Sequence, residues 1–364
     1  MTTSGLIAET YRQELALRRG RAAHAGTLVV VALAVLWPLL LSARWQTAGV
    51  FALIAAIAAM GLHITTGLAG QVSLGHAAFV AIGVYSAVWM GVDQGWAWWV
   101  WLPASGLAAA VVGLFVGPFA LRLRGLYLAV VTVALLSVTQ YVWGVWPDLT
   151  GGFNGRSAQR WDVRGHSLFS ELDVFGIITL NGNQLFWFVC LAILTVMAIG
   201  ARNLQRTRPG RGWAAIRDRD LAAAVAGVPI TQAKVSAFVV GAFFGGIAGA
   251  LLAAFQSYVV PEQFGLDLSV RYIAIIVIGG LGSVAGVIVG SFFVTILPLI
   301  ITSLTGLLPF ISERPSTSGG FTVDLASAFV YGLAIVLVLV FEPRGLMGLW
   351  ERFRDVWRTW PWSR

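Results

Sequence analysis

Cysteine is almost absent from this 364-residue sequence, in which Cys190 is the single example. One cysteine excludes an intrachain disulfide and any zinc site built from several cysteines. The four histidines are scattered, and none forms the His-x-x-x-His pair of a helical metal site. The sequence therefore predicts that the chain holds no metal.

Charge is also scarce, because Asp, Glu, Lys and Arg make up 11% of the chain while 58% of residues are hydrophobic. An average soluble domain has about 25% charged residues. The mean hydropathy of +0.82 excludes a water-soluble globule of this size, and it equally excludes a disordered chain, which would be poor in apolar residues. We expect a protein whose main solvent is the lipid bilayer.

Lysine occurs once, and Lys234 stands between alanine and valine rather than in the Gly-Lys-Ser/Thr triplet of a phosphate-binding loop. The Gly-x-Ser-x-Gly and His-Glu-x-x-His motifs of hydrolases are missing as well. We therefore predict that the chain is not an enzyme and binds no cofactor of its own. Ionisable residues are rare within the apolar runs, where a buried charge costs at least about 2.5 kcal/mol. That scarcity favours transport driven by a separate ATPase. An ion-coupled carrier or channel acting alone is the alternative.

Ten apolar runs approach the roughly 20 residues that a membrane-spanning helix needs. They predict an all-α polytopic membrane protein with about ten transmembrane helices, some of them short or broken. The stretch 269–301 could be one bent span or two short ones. The runs are 27–43, 47–68, 73–91, 98–121, 125–147, 184–201, 235–256, 268–281, 286–304 and 321–341.

Most Lys and Arg residues fall in every second segment between the predicted spans. Short loops that are rich in Lys and Arg stay in the cytoplasm. This bias predicts a cytoplasmic N-terminal segment (1–26), a transmembrane domain (27–341) and a cytoplasmic C-terminal tail (342–364). It places loop 148–183 outside, as a connector, a cover or a docking surface, and loop 202–234 inside. The pI near 10.4 then reflects topology rather than nucleic-acid binding.

Glycines four residues apart form two stripes, and such faces let helices approach closely in lipid. We expect both stripes to be buried against other helices. They comprise Gly241, Gly245 and Gly249, and Gly282, Gly286 and Gly290.

Polar side chains and glycines interrupt the apolar pattern between residues 66 and 76. Non-helical backbone at membrane depth needs cover from protein or an aqueous cavity, and broken helices often mark transport sites. We interpret Gln71, Ser73, Gly75 and His76 as candidates for the translocation path, with a packing turn at the membrane surface as the alternative.

The inner loop has helical composition from Trp213 to Ala226 and then a glycine, Gly227, which is a common residue just past a helix end. The sequence predicts one short helix over 213–227. It is too charged to cross the membrane.

Six ordered blocks resemble the branched-chain amino acid ABC importer permeases of the LivM type. Together they extend over about 280 residues, which makes the set far more specific than any single block. The blocks are Gly67–Phe79, Leu121–Ala129, Leu149–Gly155, Ala215–Val228, Ile278–Ser283 and Phe341–Leu346.

This resemblance implies a permease of the bacterial inner membrane that pairs with a second, LivH-like permease. Two ABC ATPase subunits would bind ATP and Mg²⁺ on the cytoplasmic side, and an extracytoplasmic binding protein would deliver the substrate. The inner loop would contain the coupling helix that contacts the ATPase. Its residues would be Arg217, Asp218, Arg219, Asp220, Leu221, Ala222, Ala223 and Gly227.

Three positions depart from the family pattern. Asn154 stands where an acidic residue is common, Arg156 follows soon after it, and Leu126 replaces a residue that is often polar or acidic. The resemblance implies branched-chain amino acids as substrates, and other amino acids, amides or urea remain alternatives.

Overall fold

The computed structural model describes residues 32–120, 126–158, 162–163, 166–167, 172–174, 178–304, 311–312, 321–342 and 345–359. The predicted segment 1–26 lies outside these residues, as do parts of the outer loop and of the C-terminal tail. The described part is an all-α bundle of apolar helices, as the sequence predicts.

Seven described helices are long and apolar enough to cross a membrane, namely α2 to α6, α9 and α11, and α12 contains a shorter apolar stretch. The predicted total of about ten spans and the orientation of the termini stay predictions. The helices are α1 (32–40), α2 (Ala43–Leu62), α3 (His76–Val88), α4 (Trp98–Ala120), α5 (Leu126–Val145), α6 (Gly182–Arg206), α7 (Arg208–Asp218), α8 (Asp220–Val225), α9 (Ile230–Phe255), α10 (Leu266–Gly279), α11 (Val284–Leu304), α12 (Val323–Phe341) and α13 (Gly345–Thr359).

Short turns and strands complete the described chain. π-helical turns at His63–Leu68 and Trp89–Asp93 extend α2 and α3, a helical turn spans Pro147–Thr150, and 3₁₀ turns lie at Gly152–Asn154 and Pro261–Phe264. The strands pair as β1 (Arg156–Ser157) with β6 (Tyr258–Val259), β2 (Asp162–Val163) with β3 (His166–Ser167), β4 (Leu172–Val174) with β5 (Ile178–Leu180), and β7 (Ile311–Ser312) with β8 (Phe321–Thr322). The first three pairs are antiparallel and the last is parallel.

The boundary between the first two predicted spans lies earlier than expected. The sequence left residues 44–46 between two runs, whereas α2 already begins at Ala43. The amide of Gln46 donates to the carbonyls of Pro38 and Leu41, each at 2.9 Å. These bonds satisfy carbonyls at the end of α1 that have no partner within the helix, so two helices can meet with almost no loop.

The stretch 269–301 forms two helices rather than one bent span. α10 ends at Gly279, and Gly280 follows with φ +116°, a conformation that L side chains rarely adopt. The chain then turns back into α11, so that Gly286 and Gly290 pack against the end of α10, where an added Cβ at Gly290 would lie 3.0 Å from Gly279 Cα. Gly282 differs from the prediction, because it lies in the turn before α11 and no atom would be within 4 Å of its Cβ.

Helix α9 lies at the centre of the bundle and carries glycines on two faces. Along one face, an added Cβ at Gly241 would meet Gly61 O of α2 at 2.7 Å, and one at Gly249 would meet Val84 N of α3 at 2.8 Å. Between them, Gly245 faces α3, and on another face Gly246 lies against α4. Close backbone contact is a main source of helix association in lipid, so α9 holds α2, α3 and α4 together.

The described part of the outer loop is tied to the helices beside it. The Arg156 guanidinium pairs with the Asp93 carboxylate at the end of α3, with its Nη1 3.0 Å from Asp93 Oδ2, and it donates to Leu149 O at 2.8 Å. β1 pairs with β6, which follows α9. The segment around Arg156 is thus fastened to the ends of α3 and α9.

Candidate coupling segment and cavities

The predicted helix over 213–227 is divided into α7 and α8 by Arg219, whose backbone is extended at φ −160°, ψ 111°. The single-helix prediction is therefore wrong. Two attachments lie on either side of the break: Arg217 Nη1 donates to Gly67 O, and Lys234 Nζ lies 2.6 Å from Asp220 Oδ2. Tertiary contacts thus override a composition that favours a continuous helix.

Gly227 ends α8 as its sequence position predicts. It adopts φ +80°, its N–H donates to Ala224 O, and the N–H of Val228 donates to Ala223 O. This pair of bonds is the Schellman arrangement, in which glycine avoids the strain that a Cβ would cause. The chain is thereby turned from α8 directly towards the start of α9.

Helix α7 is held against the bundle by its apolar face. Trp213 and Ile216 are buried, and the indole Nε1 of Trp213 donates to Ser236 Oγ of α9 at 3.0 Å. With the Arg217 bond to the end of α2, these contacts connect α7 to two of the helices in the core. Helix α7 is therefore attached both to the end of α2 and to α9.

Three of the predicted coupling residues contact their own chain. Arg217 bonds to Gly67, Asp220 pairs with Lys234, and Ala223 is buried. Arg217 is nevertheless exposed, as are the other five: Asp218, Arg219, Leu221, Ala222 and Gly227.

The most exposed apolar side chain of α8 is one that the sequence analysis missed. Val225 is 92% exposed and Leu221 is 77% exposed, and the two lie on one face because they are four residues apart. The spacing of Leu221 and Val225, two branched apolar residues four positions apart, is the sequence pattern that could have indicated this face. A helix outside the apolar bundle thus presents an uncovered apolar pair.

The residues predicted for the translocation path lie in a packed connection between α2 and α3. Gln71 Nε2 donates to Lys234 O at 3.0 Å, and His76 Nε2 lies 2.8 Å from Ala58 O. Ser73 is buried, and an added Cβ at Gly75 would meet the backbone of Thr132. These contacts describe a packed connection, and the role of the four residues in the translocation path stays a prediction.

The backbone of this connection receives polar partners from other helices. Leu74 N donates to Thr132 Oγ1 of α5 at 2.9 Å, and Ala77 N donates to Ser269 Oγ of α10 at 3.1 Å. Such partners are what allow non-helical backbone away from water. None of the four predicted path residues lines either of the two large cavities described next.

Two cavities of about 910 and 960 Å³ occupy opposite halves of the bundle. The first, the outer cavity, lies at the end away from α7 and α8, between the start of α2 and the ends of α9 and α11. It is lined by residues 43–55 of α2, 252–256 of α9, 262–275 around α10, 294–302 of α11 and Tyr331, though not by every residue within these ranges. The second, the inner cavity, is lined mainly by α1, α6 and the start of α11.

These features define a polytopic helical membrane protein with two large cavities that open to its surface and an exposed helix on one side. The family described as branched-chain amino acid transport system / permease component matches residues 46–339. The chain belongs to this family, and it is a multi-pass protein of the bacterial inner membrane.

Curated relatives agree with this assignment. The high-affinity branched-chain amino acid transport system permease protein LivM of Salmonella typhimurium LT2 is 30% identical over 334 residues, covering 88% of this chain and 74% of the relative. LivM of Escherichia coli K12 is 29% identical over 338 residues, with the same coverage of both chains. LivH of Escherichia coli K12 is 24% identical over 315 residues, covering 80% of this chain and 91% of LivH. No solved structure matches the chain.

Proposed function

We propose that this chain is a permease subunit of an ABC importer that carries branched-chain amino acids into the cytoplasm, and that α8 is the helix on which an ATPase subunit pushes. The uncovered pair of Leu221 and Val225 is the observation that supports the second part most directly. An apolar face that no other part of the described chain covers fits a groove in a partner protein.

ATP would be bound and hydrolysed by separate subunits. The chain has one lysine, and Lys234 is engaged with Asp220 rather than placed in a phosphate-binding loop. The full complex would then comprise this chain, a LivH-like second permease, two ATPases that hold ATP and Mg²⁺, and an extracytoplasmic binding protein.

Force on α8 has a short route into the bundle. The Asp220–Lys234 pair joins α8 to the start of α9, and α7 joins the end of α2 through Arg217. Because the glycine faces of α9 bring backbones into contact, α2, α3 and α4 would move with it as a packed unit. Closure of the ATPase dimer would in this way shift the permease between outward-open and inward-open states.

The substrate class comes from the names of the LivM and LivH relatives, which are branched-chain amino acid permeases. Other amino acids, amides and urea are the alternatives. Uptake of labelled leucine, isoleucine, valine and urea by the reconstituted complex separates them.

Replacing Val225 by glutamate tests the role of α8. The change places a charge in the proposed interface while the side chain stays in solvent in the isolated chain. A central interface contact is worth about 2 kcal/mol or more, so we expect affinity for the ATPase to fall about 30-fold. ATP-driven uptake in proteoliposomes should fall with it.

Val225→Leu is the matched control, because it keeps the apolar character and should retain uptake. Normal ATPase binding by Val225→Glu would contradict the assignment of α8. Uptake by the purified chain without any ATPase would instead support a carrier or channel that acts alone.

A further inference from the structure

The inner cavity follows one face of α6 for most of the length of that helix. Its lining residues on α6 recur at spacings of three or four positions from Trp187 to Gln205, which is the pattern of a single helix face. This face extends over 18 residues, or about 27 Å at 1.5 Å per residue, which is close to the roughly 30 Å of the hydrocarbon core. The inner cavity is therefore a long groove beside a membrane-spanning helix.

The inner cavity opens between exposed apolar side chains. Leu33 of α1 and Ile199 of α6 line it, yet they are 62% and 56% exposed. On the outside of a membrane-spanning bundle, exposed apolar side chains face the acyl chains of lipids rather than water. The inner cavity is therefore accessible from the bilayer.

The two ends of the inner cavity differ in chemistry. At the aromatic end, the rings of Trp37 and Trp187 stack with their centroids 6.0 Å apart, and Phe292 lies across Trp37 at 5.7 Å. The other end contains Arg202, the one charged side chain among the described lining residues. Arg202 forms no ion pair with a described carboxylate, so its charge is not neutralised within this part of the chain.

The charge that surrounds Arg202 in the sequence has one sign. Arg206, Arg208 and Arg211 follow it, and the segment 174–217 contains no Asp or Glu. Basic clusters at the end of a membrane-spanning helix attract anionic lipid headgroups. The ammonium group of phosphatidylcholine or phosphatidylethanolamine would find no carboxylate among the described lining residues, so a headgroup with net negative charge is favoured.

Helix α13 indicates that the Arg202 end of the inner cavity lies near the membrane surface. Met347 of α13 lines the cavity, and beyond it Trp350 and Phe353 are 58% and 57% exposed with stacked rings. Exposed aromatic residues on a helix that also carries charges, such as Arg352, are typical of a helix in the headgroup region. Arg202 is four residues from the end of α6, or about 6 Å along the axis, which is consistent with a similar depth.

We infer that the inner cavity binds one anionic phospholipid from the leaflet on the side of α7 and α8. The phosphate would pair with Arg202, because a guanidinium matches phosphate oxygens in two parallel hydrogen bonds. The hydroxyl of Ser283, which lines the same cavity, would donate a further hydrogen bond. One acyl chain would lie along α6 towards Trp187, where removal of apolar surface from contact with other molecules stabilises the bound state.

Photo-crosslinking in the assembled complex tests this site. The complex is reconstituted in phosphatidylcholine nanodiscs that contain an equal, small fraction of one of two probes, phosphatidylglycerol or phosphatidylcholine, each with a diazirine in its acyl chain. We expect adducts within residues 191–199 of α6 and 284–292 of α11, located by mass spectrometry. One basic residue near the surface favours an anionic lipid about fivefold, so the phosphatidylglycerol probe should label these residues about five times more than the phosphatidylcholine probe.

Charge variants test the role of Arg202. Arg202→Gln should lower the labelling ratio of the two probes about fivefold, to a value near one, whereas Arg202→Lys should keep most of it. Arg208→Gln is the matched control, because Arg208 is exposed on α7 and does not line the inner cavity. Its ratio should equal that of the unsubstituted chain.

A second pair of variants tests whether an acyl chain occupies the inner cavity. Thr195 and Val196 are neighbouring exposed residues of α6, and of the two only Thr195 lines the cavity. Thr195→Trp should remove the adducts because the indole fills the cavity, whereas Val196→Trp should retain them. Since both side chains are exposed, both variants should fold.

Three results would overturn the inference: equal labelling by the two probes, an unchanged ratio in Arg202→Gln, or unchanged adducts in Thr195→Trp. Absence of adducts from the lining residues would overturn it as well, and would indicate that the second permease or the N-terminal residues of this chain fill the cavity. The assay measures lipid binding without ATP-driven uptake, so its outcome is independent of the proposed transport function.

Discussion

The contact between Gly83 of α3 and Gly246 of α9 offers a direct test of the packing that holds the core. A methyl group at Gly83 would lie against the carbonyl oxygen of Gly246, 2.6 Å from its Cα and 2.7 Å from its carbonyl carbon. These atoms are backbone, so no side-chain rotation relieves the overlap. The two helices would have to separate until the contacts reach about 3.5 Å.

Gly83→Ala should therefore destabilise the protein even though alanine favours helices. Overpacking costs about 1 to 3 kcal/mol, while the gain in helix propensity is about 1 kcal/mol. Gly200→Ala is the matched control, because Gly200 lies in α6 with no atom within 4 Å of an added Cβ. The propensity gain is common to both variants, so their difference isolates the overlap at about 1 to 3 kcal/mol.

The assay is equilibrium unfolding of each variant in mixed detergent micelles with increasing SDS, followed by far-UV circular dichroism. We expect the free energy of unfolding to rank Gly200→Ala above the unsubstituted chain and Gly83→Ala below it. If the free energies of unfolding of the two variants differ by less than about 0.5 kcal/mol, the difference is no larger than that of an ordinary surface substitution. The close contact of α3 and α9 would then be refuted.

Two further predictions concern the coupling segment. Gly227→Ala should impair ATP-driven uptake, because a Cβ at φ +80° costs about 1 to 2 kcal/mol. Gly227→Asn should impair uptake less, since asparagine tolerates that conformation better. Equal uptake by the unsubstituted chain and both variants would contradict the role of the turn. Lys234→Met should reduce uptake by detaching α8 from α9 while changing the free energy of unfolding by no more than about 1 kcal/mol, since the ion pair with Asp220 is partly exposed. A large loss of stability in Lys234→Met would show that the pair is structural instead.

The membrane spans are well specified by the sequence because lipid requires long apolar runs, and the observed helices follow those runs closely. Their ends are less predictable. α2 starts at Ala43 because the Gln46 side chain satisfies carbonyls of the preceding helix, which is a contact that hydropathy does not reveal. The turn at Gly280 was recognisable as a glycine-rich break, but only the structure distinguishes two helices from one bent helix.

The helical character of the candidate coupling segment could be predicted from composition, but the direction of each side chain could not. Ala222 and Ala223 are identical in type, yet the first is exposed and the second is buried. On either side of the break at Arg219, Arg217 bonds to Gly67 and Asp220 pairs with Lys234. Both partners lie outside the segment. Such long-range contacts override local helix preference.

The cavities were the least predictable feature. The outer cavity draws its lining from five helices, with residues as far apart as Arg44 and Tyr331. The sequence analysis instead selected Gln71 and its neighbours because polar residues in an apolar context attract notice. Gln71 and His76 bond to the backbone of Lys234 and Ala58, and these partners, distant in sequence, are not visible in the local pattern.

The accessibility of Val225 tests the central claim most directly. The single cysteine Cys190 is buried, so Val225→Cys can be labelled in intact cells and in inverted membrane vesicles without interference from this chain. The account predicts labelling by an impermeant thiol reagent only in inverted vesicles, and protection from it when the ATPase subunits are bound. Labelling in intact cells, or undiminished labelling in the assembled complex, would contradict it.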